Sequence, residues 1–302
     1  MSDVTVFADW DVYTDVAEGS GRSKKEWLIN ARTREIGLFK YPKEHSSNVL
    51  TGEHWAEHIA SKVAELISIP CARTEIGIYK GALGVMSHLV IDRDKEALVE
   101  GVHYITKIFP KFNVNTLYDD ESGSRYSLQM IQRCISETGL FYQFLKIPIF
   151  DCLIGNSDRH QSNWAIITDV SDSPLRISPI YDNGSSLCCR VRGETIENHF
   201  INPNRFEALI GSKSISAIAW GENRKTRQFE LLAEICANFY DQTVDFIRRI
   251  GSELTNKAIS DILAHIPNEV MNENFKRLVF MFLCARRDRI LQIYSLEIRG
   301  QL

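Results

Sequence analysis

The chain has 302 residues, 44% hydrophobic, 25% charged and 10% aromatic, an ordinary globular usage that supplies a large core. A formal net charge of −4 and a pI near 6.1 give no overall basic field, which argues against direct nucleic-acid binding or an anionic lipid surface. No basic start leads into an apolar leader and no run of about 18 apolar residues occurs, so the expectation is a soluble, cytoplasmic protein.

In chain order, the first part reads as strands. "VTVFADW" alternates or runs apolar, "EWLIN" and "EIGLFKY" flank the polar turn Ala31–Arg34, and "TEIGIYKGALGVMSHLVI" reads as a hairpin around Lys80-Gly81. One helix interrupts them: "TGEHWAEHIASKVAELISIP" carries apolar residues at 55, 59, 63, 66 and 67, with Thr51 as the expected N-cap and Pro70 as the stop. Residues 95–126 are polar and yield no assignment. From 127 the signal is helical, over 127–154, 204–210, 226–250, 254–265 and 272–298. Arg248-Arg249 and Arg286–Arg289 read as solvated helix faces. The seven cysteines are odd in number and lack any C-x-x-C, which fits buried reduced thiols. The plan is α+β and bilobal: a small β-rich N-lobe with one helix over 1–92, and a larger mainly helical C-lobe over 93–302, with a cleft between.

The chemistry is carried by "LIGNSDRHQSNWAIITD" and by the segment that runs from it to Asp182. Asp158, Arg159 and His160 share a polar loop, and Asn163 comes five residues after Asp158. Two β-like runs, Trp164–Thr168 and Leu175–Ile180, then form a hairpin around Ser171–Pro174. Asn163 lies at its entry and Asp182 past its exit, so oxygen donors 19 positions apart are delivered to one place. Such a pair suits Mg²⁺, which takes one or two protein ligands and completes its shell with water and phosphate. An Asp near an acceptor hydroxyl, an Asn five residues on and a metal-binding Asp after a hairpin make the phosphoryl-transfer layout of a protein-kinase-like fold.

That layout needs partners in the first lobe, and candidates occur in order. Gly19 and Gly21 precede a strand and leave backbone amides free to approach phosphates. Lys40 ends the next strand. Glu57, deeper in the helix than Glu53, is the better partner for Lys40, and Glu53 stays open.

Together "GSGRSKKEWLI", "LFKYP", "GEHWAEHIASKVAELISIP", "GNSDRHQSNW" and "SPIYDNGSSL" resemble the HipA-like bacterial serine/threonine kinases, most closely the short forms without the N-terminal subdomain of full-length HipA. The resemblance implies that Asp158 is the catalytic carboxylate, that Asn163 and Asp182 hold Mg²⁺, and that Lys40 meets the ATP phosphates. It also implies that Ser20 in the Gly-loop is autophosphorylated, with Ser23 open as the alternative. Arg159 or His160 is expected to steady the loop. By analogy of fold, the backbone of Ser87, His88, Leu89 and Val90 is expected to meet the adenine edge. The family further implies a toxin-type kinase acting on a translation component such as an aminoacyl-tRNA synthetase, with an antitoxin as partner.

Three rival readings remain. A phosphoinositide-type lipid kinase shares G-x-x-D-R-H-x-x-N but normally continues Asp-Phe-Gly, where this chain has Asp182-Asn183-Gly184. A pseudokinase that binds nucleotide or a partner without catalysis is the second. The third is a metallopeptidase, from His54, Glu57 and His58 in H-x-x-E-H. The kinase reading uses Glu57 and leaves both histidines as surface residues.

Overall fold

The computed structural model describes residues 4–14, 24–44, 50–212 and 214–300. Ser20, Ser23, Gly19 and Gly21 lie outside the described residues. The first lobe is a six-stranded sheet of β1 (Thr5–Val6), β2 (Trp10–Val12), β3 (Lys25–Asn30), β4 (Ile36–Lys40), β5 (Thr74–Tyr79) and β6 (Ala82–His88), crossed by helix α1 (Glu53–Leu66). Strand order is β1-β5-β6-β4-β3-β2, antiparallel except for the parallel β1–β5 pair. The β5–β6 connection is the two-residue turn Lys80-Gly81, both at positive φ (49° and 79°), which matches the right-handed twist of a tight hairpin.

Helix α1 is buried on most of its circumference, because the sheet covers one side and the second lobe the other. Ala56, Ala60 and Ala64 have no exposed surface and let both layers approach closely. Thr51 is not the cap. The N-cap is Gly52, without a side-chain cap bond, because the Trp55 indole folds back over it; a Cβ there would lie 1.9 Å from the ring. The helix ends at Leu66, with Ser68 reversed at φ 55°, before Pro70 is reached.

Beyond β6 the chain crosses to a second sheet. The unassigned stretch contains β7 (Glu96–Glu100), helix α2 (Gly101–Ile108) and a two-stranded ribbon of β8 (Phe112–Asn113) and β9 (Tyr118–Asp119). Then come α3 (Leu128–Ile135), α4 (Phe141–Phe144) and α5 (Lys146–Ile154) where one helical stretch is expected; the chain turns at Gly139, φ 71°. The expected hairpin is present as β10 (Ala165–Asp169) and β11 (Pro174–Ile177), and β7 adds a third strand to it, giving the order β11-β10-β7. Short helices α6 (Glu197–Ile201) and α7 (Pro203–Glu207) lead to α8 (Gln228–Glu253), broken at Phe239, then α9 (Asn256–Ala264) and α10 (Glu273–Gly300). Helices α5, α8 and α10 pack on one another as the second lobe's core. Arg286 on α10 is wholly buried, so this part of the Arg286–Arg289 cluster is not a solvated face.

Helix α5 ends at Gly155, φ 70°, where a Cβ would stand 2.6 Å from the Phe282 ring. Gly155→Ala combines a left-handed penalty with a clash in packed surroundings, and equilibrium urea unfolding is expected to show a loss of about 2 kcal/mol or more.

Candidate active site

The loop after α5 is built around one guanidinium. Arg159 is 2% exposed and spends all its donors. Nε and Nη2 donate to Asp151 at 3.0 and 2.8 Å, Nη1 to the Asn163 and Tyr181 carbonyls at 2.5 and 2.8 Å, and Nη2 to Asn183 Oδ1 at 2.7 Å. Burial opposes its charge, and the Asp151 carboxylate more than offsets that, so its pKa is raised. The loop entrance, the hairpin entry and the hairpin exit are thereby held to one group.

Asp158 is fixed through its backbone: its N–H donates to Asn156 Oδ1 at 3.1 Å and its carbonyl accepts from Asn163 Nδ2 at 2.7 Å. The carboxylate itself is left exposed, with Ser185 Oγ 3.5 Å away. Asn163 itself is buried, and its amide nitrogen is spent on this bond. His160 Nδ1 accepts from the Ser162 N–H at 3.2 Å and makes a smaller contribution to the same turn.

Asp182 sits at φ 57°, a left-handed conformation that Asp tolerates better than most residues. Its carboxylate accepts from Lys40 Nζ at 2.9 Å, and on the other side Lys40 lies 3.6 Å from Glu57. Glu53 pairs instead with Lys43, 3.2 Å away. Two bonds register the lobes for this contact: the Ile180 N–H donates to the Pro70 carbonyl at 2.8 Å, and the Ala72 N–H to the Ile180 carbonyl at 2.8 Å.

The three charges are set apart by their surroundings. Lys40 holds Asp182 down to about 2, although protein encloses much of the carboxylate and 47% of its side chain stays open to the cleft. Burial of Glu57 pushes its pKa up, against the opposing pull of Lys40 and the Gly184 backbone N–H. Burial works against the Lys40 charge, and the two carboxylates outweigh it, raising its pKa. Lys40, Glu57, Asp158 and Asp182 line one cleft together with Val85, Gly184 and Ser185. A cation between carboxylates, with a further exposed carboxylate in the same cleft, can receive a polyphosphate with its counter-cation.

Residues 14–258 match the family described as the HipA-like C-terminal domain. The chain belongs to that family. A relative, the serine/threonine-protein kinase CtkA of Helicobacter pylori (strain J99 / ATCC 700824), is 21% identical over 267 residues, 86% of this chain and 78% of CtkA. The crystal structure of the Helicobacter pylori proinflammatory kinase CtkA superposes with a TM-score of 0.79 at 19% identity, covering 97% of each chain. HipA of Shewanella oneidensis MR-1, solved with HipB and its operator DNA, superposes with a TM-score of 0.57 at 13% identity, over 94% of this chain and 70% of that one. The fold is the α+β fold of the HipA-like kinases.

Ser87 and His88 close β6, a central strand, where the His88 N–H donates to the Arg73 carbonyl and the Leu89 N–H to the Ile36 carbonyl, and Leu89 and Val90 follow the strand. The His88 ring is bonded to Glu75 at 2.8 Å, and Val85 is the residue of β6 that lines the cleft. The histidines of H-x-x-E-H are not both surface residues. His54 is buried and His58 partly so, its Nδ1 3.1 Å from the Thr74 carbonyl, while Glu57 between them is committed to Lys40. Asp151, Asn156 and Asn183, the groups that hold the loop, are absent from the sequence-based set. The signal for Asp151 was a lone carboxylate inside the apolar run "IPIFDCLI".

Removing one member of a buried ion pair strands the other, so Arg159→Met is expected to cost about 3–5 kcal/mol in chemical denaturation. A second expectation concerns acid. Burial holds both His54 and His58 at about 4. The unfolded chain takes up these protons below about pH 6.5 and the folded chain only near 4, so stability falls as pH drops through that window. His54→Gln should flatten the difference between urea midpoints measured at about pH 7 and 5.

Proposed function

We propose that this chain is an ATP- and Mg²⁺-dependent serine/threonine protein kinase. The observation that carries the reading is Lys40, held 2.9 Å from Asp182 and 3.6 Å from Glu57, in one cleft with Asp158. Asp182, kept ionised, and the Asn163 amide oxygen form a hard-oxygen donor pair of the kind Mg²⁺ takes, and they would hold it. When bound, Mg²⁺ neutralises charge on the ATP phosphates.

The chain's own residues do the rest. Lys40, steadied by Glu57, orients the nucleotide phosphates. Asp158 aligns the acceptor hydroxyl and takes its proton as the new P–O bond forms and ADP leaves. Most of the rate gain comes from alignment and fixed charge, which is why the rigid attachment of Asp158 through Asn156 and Asn163 matters. In this reading Ser20 of the Gly-loop is the self-acceptor, and its phosphate, at about −1.5 to −2 charge, opposes ATP binding under that loop. The family likeness, including a relative solved with HipB, supports a toxin-type kinase with an antitoxin partner and a substrate in translation, such as an aminoacyl-tRNA synthetase.

Intact-mass and peptide mass spectrometry after incubation with Mg-ATP tests the proposal. Wild type is expected to gain phosphate mapping to the Gly-loop, and Asp158→Ala to gain it about 10²–10⁴-fold more slowly. A wild type that starts unmodified, binds ATP and transfers nothing to itself or to a protein acceptor is a nucleotide-binding module, and the kinase reading falls.

A further inference from the structure

A second buried guanidinium stands behind the catalytic loop. Arg286 on α10 donates through Nε to the Cys152 carbonyl at 2.5 Å, through Nη1 to the Ile210 carbonyl and to Ser214 Oγ at 3.0 Å, and through Nη2 to Gln228 Oε1 at 2.5 Å and Cys152 Sγ at 3.8 Å. All five donors are therefore used, and no acceptor among them is a carboxylate. The group also lies over the Phe229 and Phe282 rings, 4.7 and 5.1 Å from their centroids. Burial lowers its pKa. An apolar side chain would fill this place at less cost than a buried charge with neutral partners.

The charge reaches the loop through one amide. Gln228, at the first turn of α8 and 3% exposed, takes the guanidinium on its oxygen and donates its Nε2 to the Asn156 carbonyl. Asn156 in turn accepts the Asp158 N–H at 3.1 Å and donates to Asp151 at 3.0 Å. A cation on the oxygen of an amide strengthens the hydrogen bond that its N–H gives, so the Arg286–Gln228 and Gln228–Asn156 bonds reinforce one another, and the Asn156 side chain passes the position on to Asp158. The Arg159 network grips the loop after Asp158; the Arg286–Gln228 chain grips it before.

We infer that Gln228, polarised by Arg286, is a positioning residue that sets the Asn156–Asp158 backbone and through it the catalytic carboxylate. The inference rests on the kinase reading for its effect on rate and on geometry alone for its effect on the loop.

Gln228→Glu separates positioning from bulk stability. It keeps an oxygen for Arg286 and gives that cation a carboxylate, but sets a second acceptor against the Asn156 carbonyl. In the full-length protein, thermal stability is expected to match or exceed wild type. Amide hydrogen exchange over 156–163 is expected to accelerate, and kcat for phosphotransfer to fall roughly 10- to 100-fold with KM for ATP within about twofold. Gln228→Met, which has neither bond, should show the same exchange and kcat changes, and carries the test if the Glu variant does not fold. Unchanged exchange and unchanged kcat in a folded variant overturn the inference. So does a kcat that falls only in proportion to lost folded protein. If wild type transfers no phosphate, the kinase reading falls and the exchange comparison alone decides the positioning role.

Discussion

The pairing of Arg159 with Asp151 is the constraint on which the rest of the site depends. A buried guanidinium and carboxylate gain little net stability over an apolar pair, since both were taken out of water. Their value lies in geometry. A planar fork with five donors fixes five directions at once, and here those directions lead to α5, the hairpin entry at Asn163 and the hairpin exit at Tyr181 and Asn183. Three segments distant along the chain are brought into register by one side chain, and the Tyr181 hydroxyl, which donates to the Ser162 carbonyl at 3.1 Å, ties hairpin exit to entry a second time. Tyr126 adds a brace, its hydroxyl donating to the Arg159 carbonyl at 3.1 Å and accepting from Trp164 Nε1 at 2.8 Å.

The first lobe contributes through α1. That helix is wedged between sheet and second lobe, and its position decides whether Glu57 reaches Lys40. It is tied to the segment after Asp182 by the Gly52 N–H, which donates to the Cys189 carbonyl at 2.9 Å. A displacement of this segment is therefore felt at Glu57 and at Asp182 together. The electrostatics obey the same plan: one lysine between two carboxylates depresses the pKa of the one that faces the cleft, while burial raises the pKa of the one behind it. The charge available to a nucleotide is thus set by solvent access as much as by residue type.

Much of this architecture was legible in the chain, and the exceptions share a cause. The β10–β11 hairpin, the β5–β6 turn and the body of α1 rest on turn chemistry and short-range periodicity, and they stand where expected. The D-R-H-x-x-N spacing put Asp158, Arg159 and Asn163 in one loop, but not the direction in which each points. Strand β7 was hidden because "EALVE" is short and flanked by charge, and it becomes a strand only by pairing with β10. The cap of α1 moved from Thr51 to Gly52 because the Trp55 ring needs the space.

The sequence by itself determined the α+β plan, the β5–β6 turn, the body of α1 and the β10–β11 hairpin, since these depend on neighbours a few positions apart, and it singled out Lys40, Glu57, Asp158 and Asp182, which the fold brings to one cleft. The tertiary structure decided which polar groups are buried and what they hold. Asp151 and Arg286 differ from surface charges only through partners 5 to 134 positions away, and His54 through the layers that close over α1. Burial and pairing of a charge are properties of the packed molecule, because the cost of removing it from water is felt only once every neighbour is in place.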